Sequence, residues 1–354
     1  MGKIDDLQKK LSKRFDVSSG KIYDDSMTLI STGSLALDIA LGGGVATGRL
    51  CELFGSFSTG KSVLGWTILR ETQRLGGLPV LFEAEHAFKK DFAEKCGLDL
   101  ANMLVVIPES VEHFFEQTEE IANSYEKYPF CAVVLDSLAG LPSSKEYESS
   151  AAAYKSVDMG KKAQEISQGL RRLIPIIRKR SVALIIVNQI REKVGVLFGD
   201  TRTTPGGNAV KFHASQRILL SSKQDKIMND KKIAVGIEGI CSIAKNKIAP
   251  PFRQSEFRIW YDGGVDKHYG LASTLVQEGR LSHSGGWYSL DDKKFRAADI
   301  EAVVTEHPEL LDGLLFERPT LSSVDETGSD QPGRSEQPID GTDPSDLDVH
   351  GETG

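Results

Sequence analysis

Cysteine is scarce in this chain: 354 residues hold four, at Cys51, Cys96, Cys131 and Cys241. They are too scattered for a zinc site or a disulfide framework. Three stand inside apolar segments, so they read as small core residues in a reducing cytosol. Long apolar runs are missing too: none reaches the ~18 residues of a membrane-spanning helix. The opening MGKIDDLQKK is charged rather than signal-like, and Asp6 stands where a myristoylation signal requires serine or threonine. No internal repeat is visible. What remains is a chain expected in the cytoplasm and away from membranes. Its 40% hydrophobic content supports a real core, and its length suits one large domain with accessories.

A net charge of one sign is also missing from most of the chain. The formal charge is −7, but from Leu321 to Gly354 nine acidic residues face Arg334 alone, and the rest, with 42 basic and 41 acidic residues, is +1. That terminal stretch is rich in Gly, Ser, Thr and Pro. It is expected to be disordered, because it cannot bury enough surface to offset its ordering entropy. Two readings stand for it: a solvated tail that aids solubility, or a polyanion that competes with DNA for basic surface elsewhere on the chain.

One motif is complete. Gly55 to Ser62 read GSFSTGKS, a G-x-x-x-x-G-K-[ST] phosphate loop. Arg49–Phe54 before it suits a buried strand, and Ser62–Leu75 after it can run as a helix whose N-terminus faces the loop. Gly55 and Gly60 let the backbone bend, so that the N–H groups of Ser56, Phe57, Ser58 and Thr59 can point at phosphate oxygens. Lys61 can reach the β- and γ-phosphates, and the Ser62 hydroxyl can ligand Mg²⁺. The expected ligand is a nucleoside triphosphate.

Apolar runs then recur at Pro79–Phe82, Met103–Ile107, Cys131–Leu135 and Val182–Val187, separated by helix-length segments. This alternation predicts an α/β fold: a mostly parallel, twisted sheet with helices on both faces. After Arg217 the strands come closer together (Arg217–Leu220, Gly236–Ile243, Phe257–Tyr261), which predicts an antiparallel extension. Gly42–Gly44 and Gly285–Gly286 read as turns. At the N-terminus Ile4, Leu7, Leu11 and Phe15 form a helical stripe too short to be stable alone, which needs a surface of its own chain or of a neighbour.

In such a fold reactive groups sit at the carboxyl ends of strands. Glu83 and Glu85 end the second run, and a carboxylate there can polarise the water that attacks a γ-phosphate. Spacing does not choose between them. Asp136 ends CAVVLD, a Walker B strand whose carboxylate would hold Mg²⁺. Asn188 and Gln189 end VALIIVNQ, where a neutral amide can bond the γ-phosphate and register its loss. His86, His113 and His213 read as packing or surface residues rather than metal ligands. The following segment, IREKVGVLFGDTRTTPGGNAVKF, is long for a loop inside a compact domain. Its glycines, threonines and Lys/Arg residues form a plausible phosphate-contacting set, and Val194, Val196, Leu197 and Phe198 could insert between bases.

Together these stretches resemble the RecA family of bacterial and phage homologous-recombination proteins. The matching segments are ISTGSLALDIALGGG (30–44), the phosphate loop, EAEHAF (83–88), VVLDS (133–137), NQIREKVGVLFG (188–199), TTPGGNAVKFHAS (203–215), KNKIAPPF (245–252) and GGWYS (285–289), and they span roughly residues 5 to 316. The resemblance implies a DNA-dependent ATPase that forms helical filaments on single-stranded DNA and pairs it with homologous duplex in recombinational repair. It implies an N-terminal polymerisation helix and linker (1–30), an ATPase core with the DNA loops (31–265), a small α/β C-terminal module (266–318) and a regulatory acidic tail (319–354).

Position by position, the resemblance makes Glu85 the water-activating glutamate and Gln189 the γ-phosphate sensor, and sets Phe92 against adenine. Lys245 and Lys247 resemble lysines that reach the ATP of a neighbouring subunit. Residues 145–160 look like the first DNA loop, ending at Met159 and Gly160, with Ser167 and Arg171 on the helix behind it. Residues 190–211 resemble the second, with Arg191, Val194, Phe198, Arg202, Thr203, Gly206, Gly207 and Asn208 at the DNA. ATP and Mg²⁺ are the implied cofactors, and single-strand-binding and loader proteins are candidate further partners.

The chain departs from the family in three places. The first loop, KEYESSAAAYKSVDMG, is longer than usual and lacks internal glycines; Gln164 replaces a usual arginine; and Lys89 stands where an adenine-contacting aspartate is common. These departures fit a phage-encoded member acting in the host cytoplasm. Two rival readings share the core: a hexameric DNA motor or helicase, which the KNK segment and the N-terminal stripe oppose, and a non-catalytic mediator, which need not keep Lys61, Glu85, Asp136 and Gln189 together.

Overall fold

Parallel strands can be joined only by carrying the chain back across a face of the sheet, so apolar runs separated by helix-length segments become strand and crossover. The computed structural model describes residues 7, 9–13, 27–148, 159–192, 202–203 and 205–315, all within a unit that runs to Glu317. The chain enters through β1 (Leu29–Ile30), α1 (Leu35–Leu41) and β2 (Val45–Ala46). Ser34 caps α1 by accepting from the Leu37 N–H, and Gly42, at φ 82°, closes it. There follow β3 (Leu50–Gly55), α2 (Lys61–Arg74), β4 (Leu78–Glu83), α3 (Lys90–Lys95), β5 (Leu104–Val106), α4 (Val111–Ser124) and β6 (Cys131–Asp136). Next come α5 (Ser144–Glu148), α6 (Met159–Lys179) and β7 (Val182–Gln189). A ladder of β8 (Arg191–Glu192) with β9 (Arg202–Thr203) and the short helix α7 (Ala209–His213) lead to β10 (Gln216–Met228).

The expected antiparallel extension is present as β11 (Ala234–Asn246), β12 (Gln254–Trp260) and β13 (Gly264–Val265). Its first connection needs no crossover. Asn229 Oδ1 accepts from the N–H groups of Lys231 (3.0 Å) and Ile233 (2.9 Å), a side-chain turn tight enough for a hairpin. The large sheet has the order β13-β12-β11-β10-β3-β7-β6-β4-β5, and β10 through β5 run parallel.

Side-chain alternation decides which helix each residue meets. In β7, Ala183, Ile185 and Val187 pack with Val63, Leu64 and Ile68 of α2, whereas Val182, Leu184 and Ile186 pack with Phe114 of α4 and Ile166, Leu170 and Leu173 of α6. Helices therefore cover both faces, as the alternating sequence predicts. Each such fully buried aliphatic side chain contributes about 1.5–3 kcal/mol. All four cysteines are buried and unpaired, and burial pushes the Cys131 thiol up to about 12.

Beyond β13 the chain forms α8 (Leu271–Gln277), a three-stranded sheet of β14 (Ser282–Ser284), β15 (Trp287–Leu290) and β16 (Lys293–Phe295), and α9 (Ile300–Glu306). Leu271, Leu275, Phe295, Ile300 and Val304 gather into a separate apolar cluster that also takes in Leu35 and Ile39 of α1. The Leu35 N–H donates to the Lys267 carbonyl at 3.0 Å, so α1 and this module hold each other. Residues 319–354, and Ile4 and Phe15 of the N-terminal stripe, lie outside the described residues; residues 7 and 9–11 are helical. Among the described residues no helix is long and apolar enough to cross a membrane.

Candidate nucleotide and DNA site

The phosphate loop leaves β3 between its two parallel neighbours, β10 and β7, while the chain crosses on to the more distant β4. That reversal of direction opens a crevice at the strand ends, where ligands of such sheets bind. Gly55 is required by close approach: a Cβ there would lie 2.3 Å from the Leu220 carbonyl oxygen of β10. Gly60 turns the chain into α2 at φ 84°. Thr59 Oγ1 donates to the Ser56 carbonyl at 3.0 Å, holding the loop closed. The Lys61 ammonium donates to the same carbonyl at 2.6 Å and to Thr59 Oγ1 at 3.4 Å. Burial pulls its pKa below the usual lysine value, and the carboxylates of Asp136 and Glu85 oppose that shift.

Asp136 ends β6 directly beside Glu83 at the end of β4. Burial raises its carboxyl to about 6; the Ser62 hydroxyl bonded to it and Lys61 pull the other way, while Glu85 and Glu83 add to the rise. Ser62 and Asp136 thus form a pair of hard oxygen donors at the start of α2. Among the described residues no cluster of three or more His, Cys, Asp or Glu stands ready for a metal ion. The pair suits Mg²⁺, which characteristically takes one or two protein oxygens and completes its shell with phosphates and water.

The two glutamates left open by spacing go to different places. β4 stops at Glu83, which is buried and accepts the Ala87 N–H at 2.8 Å, fixing the turn that follows. Glu85, two residues past the strand, is exposed. Its Oε1 accepts from the Ser137 hydroxyl and from the Gln189 amide, the latter at 2.9 Å. Gln189 lies opposite Gly55 in the β3–β7 register. One oxygen of Glu85 therefore links the exits of β4, β6 and β7.

A cleft of about 320 Å³ runs from Ser58–Val63 to Phe92, Ile237, Ile259 and Tyr261. Phe92 stands edge-on to Trp66, with centroids 5.7 Å apart. Two aromatic rings beside a phosphate loop can flank a planar base. Tyr261 is absent from the sequence-predicted set. Its signal was an aromatic residue just past a strand, but that strand belongs to the antiparallel extension, whose exits the strand-end rule does not cover.

The segments expected at DNA meet on the other side of β7. Gly160, Ser167 and the exposed Arg171 lie along α6, whose first residue is Met159. Gly206 (φ 86°) and Gly207 (φ 61°) make a left-handed turn against Leu138, Ala163 and Ile166, a conformation open to glycine and strained for other residues. Asn208 is exposed at the start of α7. The backbones of Arg191 and Thr203 pair in the β8–β9 ladder, as do those of Glu192 and Arg202. Val194 and Phe198 lie outside the described residues.

Lys245 and Lys247 do not line the cleft. Lys245 donates to the carbonyls of Lys211 (2.8 Å) and Phe212 (3.0 Å) at the end of α7. With Arg171 both lysines surround His213, whose pKa is lowered by burial and then by these three cations. The result is a positive group at the C-terminal end of α7.

Strand, glycine-bent loop, helix with Lys61 and Ser62, and carboxylates at neighbouring strand ends define a nucleoside triphosphatase of the phosphate-loop class. The family model described as RecA N-terminal domain matches residues 2–266. The Protein RecA of Aquifex aeolicus (strain VF5) is 37% identical over 313 residues, which covers 87% of this chain and 88% of that protein. That of Thermus thermophilus is 36% identical over 311 residues, 86% and 89% of the two chains. That of Bacteroides thetaiotaomicron is 37% identical over 318 residues, 87% and 94%. The chain belongs to the RecA family. It is a DNA-dependent ATPase and recombinase of DNA recombination and repair, and neither a motor nor a mediator reading is favoured.

Proposed function

We propose that ATP and Mg²⁺ bind between protomers of a filament wound on single-stranded DNA, and that the filament pairs this strand with homologous duplex. The observation that carries the reading is the Ser137–Glu85–Gln189 group, because it joins the residue suited to activate water to the strand exit that leads into the DNA segment. Two donors hold Glu85 Oε1, and Oε2 takes the proton of the attacking water. Lys61 turns from the Ser56 carbonyl to the β- and γ-phosphates. Ser62 and Asp136 would hold Mg²⁺, which would supply neutralisation of the phosphate charge. Gln189 then has two alternative acceptors, Glu85 and the γ-phosphate. Exchanging one for the other moves the end of β7, and Arg191 and its partner Thr203 follow within two residues.

Lys245 and Lys247 reach the γ-phosphate of the neighbouring protomer, so nucleotide strengthens assembly. Leu104 and Val105 of the edge strand β5, and Ile107 just past it, support assembly too: they are 45%, 47% and 58% exposed, and an uncovered apolar edge invites another chain. A second copy, docking with the Leu7, Leu11 and Phe15 stripe, is the occupant. Single-strand-binding and loader proteins assist assembly, and the acidic tail competes with duplex for basic surface. Phosphate contacts dominate, so DNA binding falls steeply with salt and shows little sequence preference.

The test is ATP hydrolysis with and without single-stranded DNA for the native chain and Glu85→Gln, with electron microscopy of the same samples. DNA-stimulated hydrolysis, open filaments, and a variant that keeps filaments without turnover are expected. Closed rings, or turnover indifferent to DNA, would sink the proposal.

A further inference from the structure

Asn188 precedes the proposed sensor by one residue and points to the opposite face of the sheet. It is fully buried, and its amide nitrogen lies 2.9 Å from Glu52 Oε1 and 3.4 Å from the Pro205 carbonyl. Both neighbours accept hydrogen bonds and neither donates, so the amide has one permitted orientation; flipping it would set oxygen against oxygen. Its Oδ1 is buried with no donor among the described residues. Glu52 is itself fully buried in β3, three residues before the phosphate loop opens. Its other oxygen receives Arg217 Nε of β10 at 2.5 Å, and Arg217 lies over the Phe54 ring, 4.4 Å from the centroid. A buried carboxylate is tolerable only with such partners on both oxygens.

This arrangement joins three strands to both feet of one segment. Asn188 is the departing foot and Pro205 the returning foot. Between them the Arg191–Thr203 and Glu192–Arg202 pairs zip the neck. Beyond Pro205 the Gly206–Gly207 turn leads into α7, whose terminal carbonyls bind Lys245. We propose that Asn188 is a positioning residue. Its amide staples the returning foot to the strand that carries the phosphate loop, so that a movement of β3 or of Gln189 shifts both feet as one body. Without it the departing foot still follows Gln189, but the returning foot, with Gly206, Gly207 and Asn208, is released. This rests on the reading above that residues 190–211 meet DNA.

The test uses the full chain carrying Asn188→Ala, with kcat and KM for ATP measured across single-stranded DNA concentrations and thermal melting alongside. The expected result is a split. DNA-stimulated kcat falls about tenfold and the DNA concentration for half-stimulation rises, while KM for ATP changes less than about twofold. Equal loss of DNA-stimulated and DNA-independent turnover with a raised KM would mark a merely structural residue and overturn the proposal; so would full stimulation in the variant. If the native chain is itself not stimulated by DNA, the underlying reading fails instead. Should the variant not fold, hydrogen exchange on the native chain decides. A non-hydrolysable ATP analogue, without DNA, should slow exchange in residues 189–192 and 206–209 together, and protection of the first group alone would refute the staple.

Discussion

On the parallel side of the sheet β3, β4 and β6 are buried at every position, and β7 at all but its last. On the antiparallel side burial alternates: β12 reads exposed, buried, half-buried, buried and so on, and β11 is half open along its length. Strands covered on both faces have no room for chemistry along their course, so reactive groups collect at the exits, where Glu85, Asp136 and Gln189 stand. Strands covered on one face can carry functional side chains anywhere. Arg258 illustrates this, bound to Glu238 at 2.6 Å mid-strand and lying 4.0 Å over Tyr269, as do Lys245 and Lys247 near the end of β11. The parallel side is thereby suited to bond breaking, and the antiparallel side to reaching a base, a neighbour or a nucleic acid.

That division can be broken by experiment. The largest effect is expected on the parallel side: Glu85→Gln should lower kcat by about 10²–10⁴-fold with nucleotide affinity nearly kept. A comparable loss of affinity instead would show that the exit residues serve binding. On the antiparallel side, Lys245→Ala with Lys247→Ala should weaken nucleotide-dependent assembly by about 30-fold, read by sedimentation, while a fluorescent ATP analogue still binds the lone protomer. Loss of binding by that protomer would place both lysines in its own site.

Tyr261→Ala sharpens the contrast within one cleft. It should raise KM for ATP about tenfold with little change in kcat, as loss of a stacking surface does. A fall in kcat alone would move this side into the chemistry. The smallest effect concerns acidity. Burial raises the Asp136 carboxyl to about 6, and the proposed Mg²⁺ site needs its carboxylate form. Hydrolysis at limiting Mg²⁺ should therefore fall as pH drops through about 6 and recover partly with excess Mg²⁺. A flat profile between pH 5 and 7, with Mg²⁺ limiting, would contradict that role.

Local motifs were legible because their geometry is local. Eight consecutive residues specify the phosphate loop, and four apolar residues with an aspartate mark the β6 exit. The spacing of the apolar runs foretold both the double covering, from helix-length gaps, and the antiparallel extension, from the closer strands after Arg217. Spacing left the choice between Glu83 and Glu85 open, because it depends on where β4 stops, and only the family resemblance named Glu85. Their two-residue spacing implies a shared face only while the strand continues, and it ends at Glu83. Tyr261 escaped because the cleft is closed by a strand distant in sequence. The place of α1 in the C-terminal cluster escaped as well, since a seven-residue apolar helix does not say which of two cores receives it.

The amino-acid sequence alone determined that this chain holds a nucleotide on a parallel α/β sheet, because backbone bending, strand burial and helix crossover depend on neighbours a few residues apart. Its RecA character was legible in the same way, from short blocks of fixed spacing. Only the tertiary structure decided which carboxylate meets Gln189, which aromatic residue shares the cleft with Phe92, and that Asn188 bonds Glu52 from 136 residues away. Those contacts are made between strands whose order in the sheet differs from their order in the chain. A buried hydrogen bond is fixed by that arrangement in space, and separation along the sequence carries no record of it.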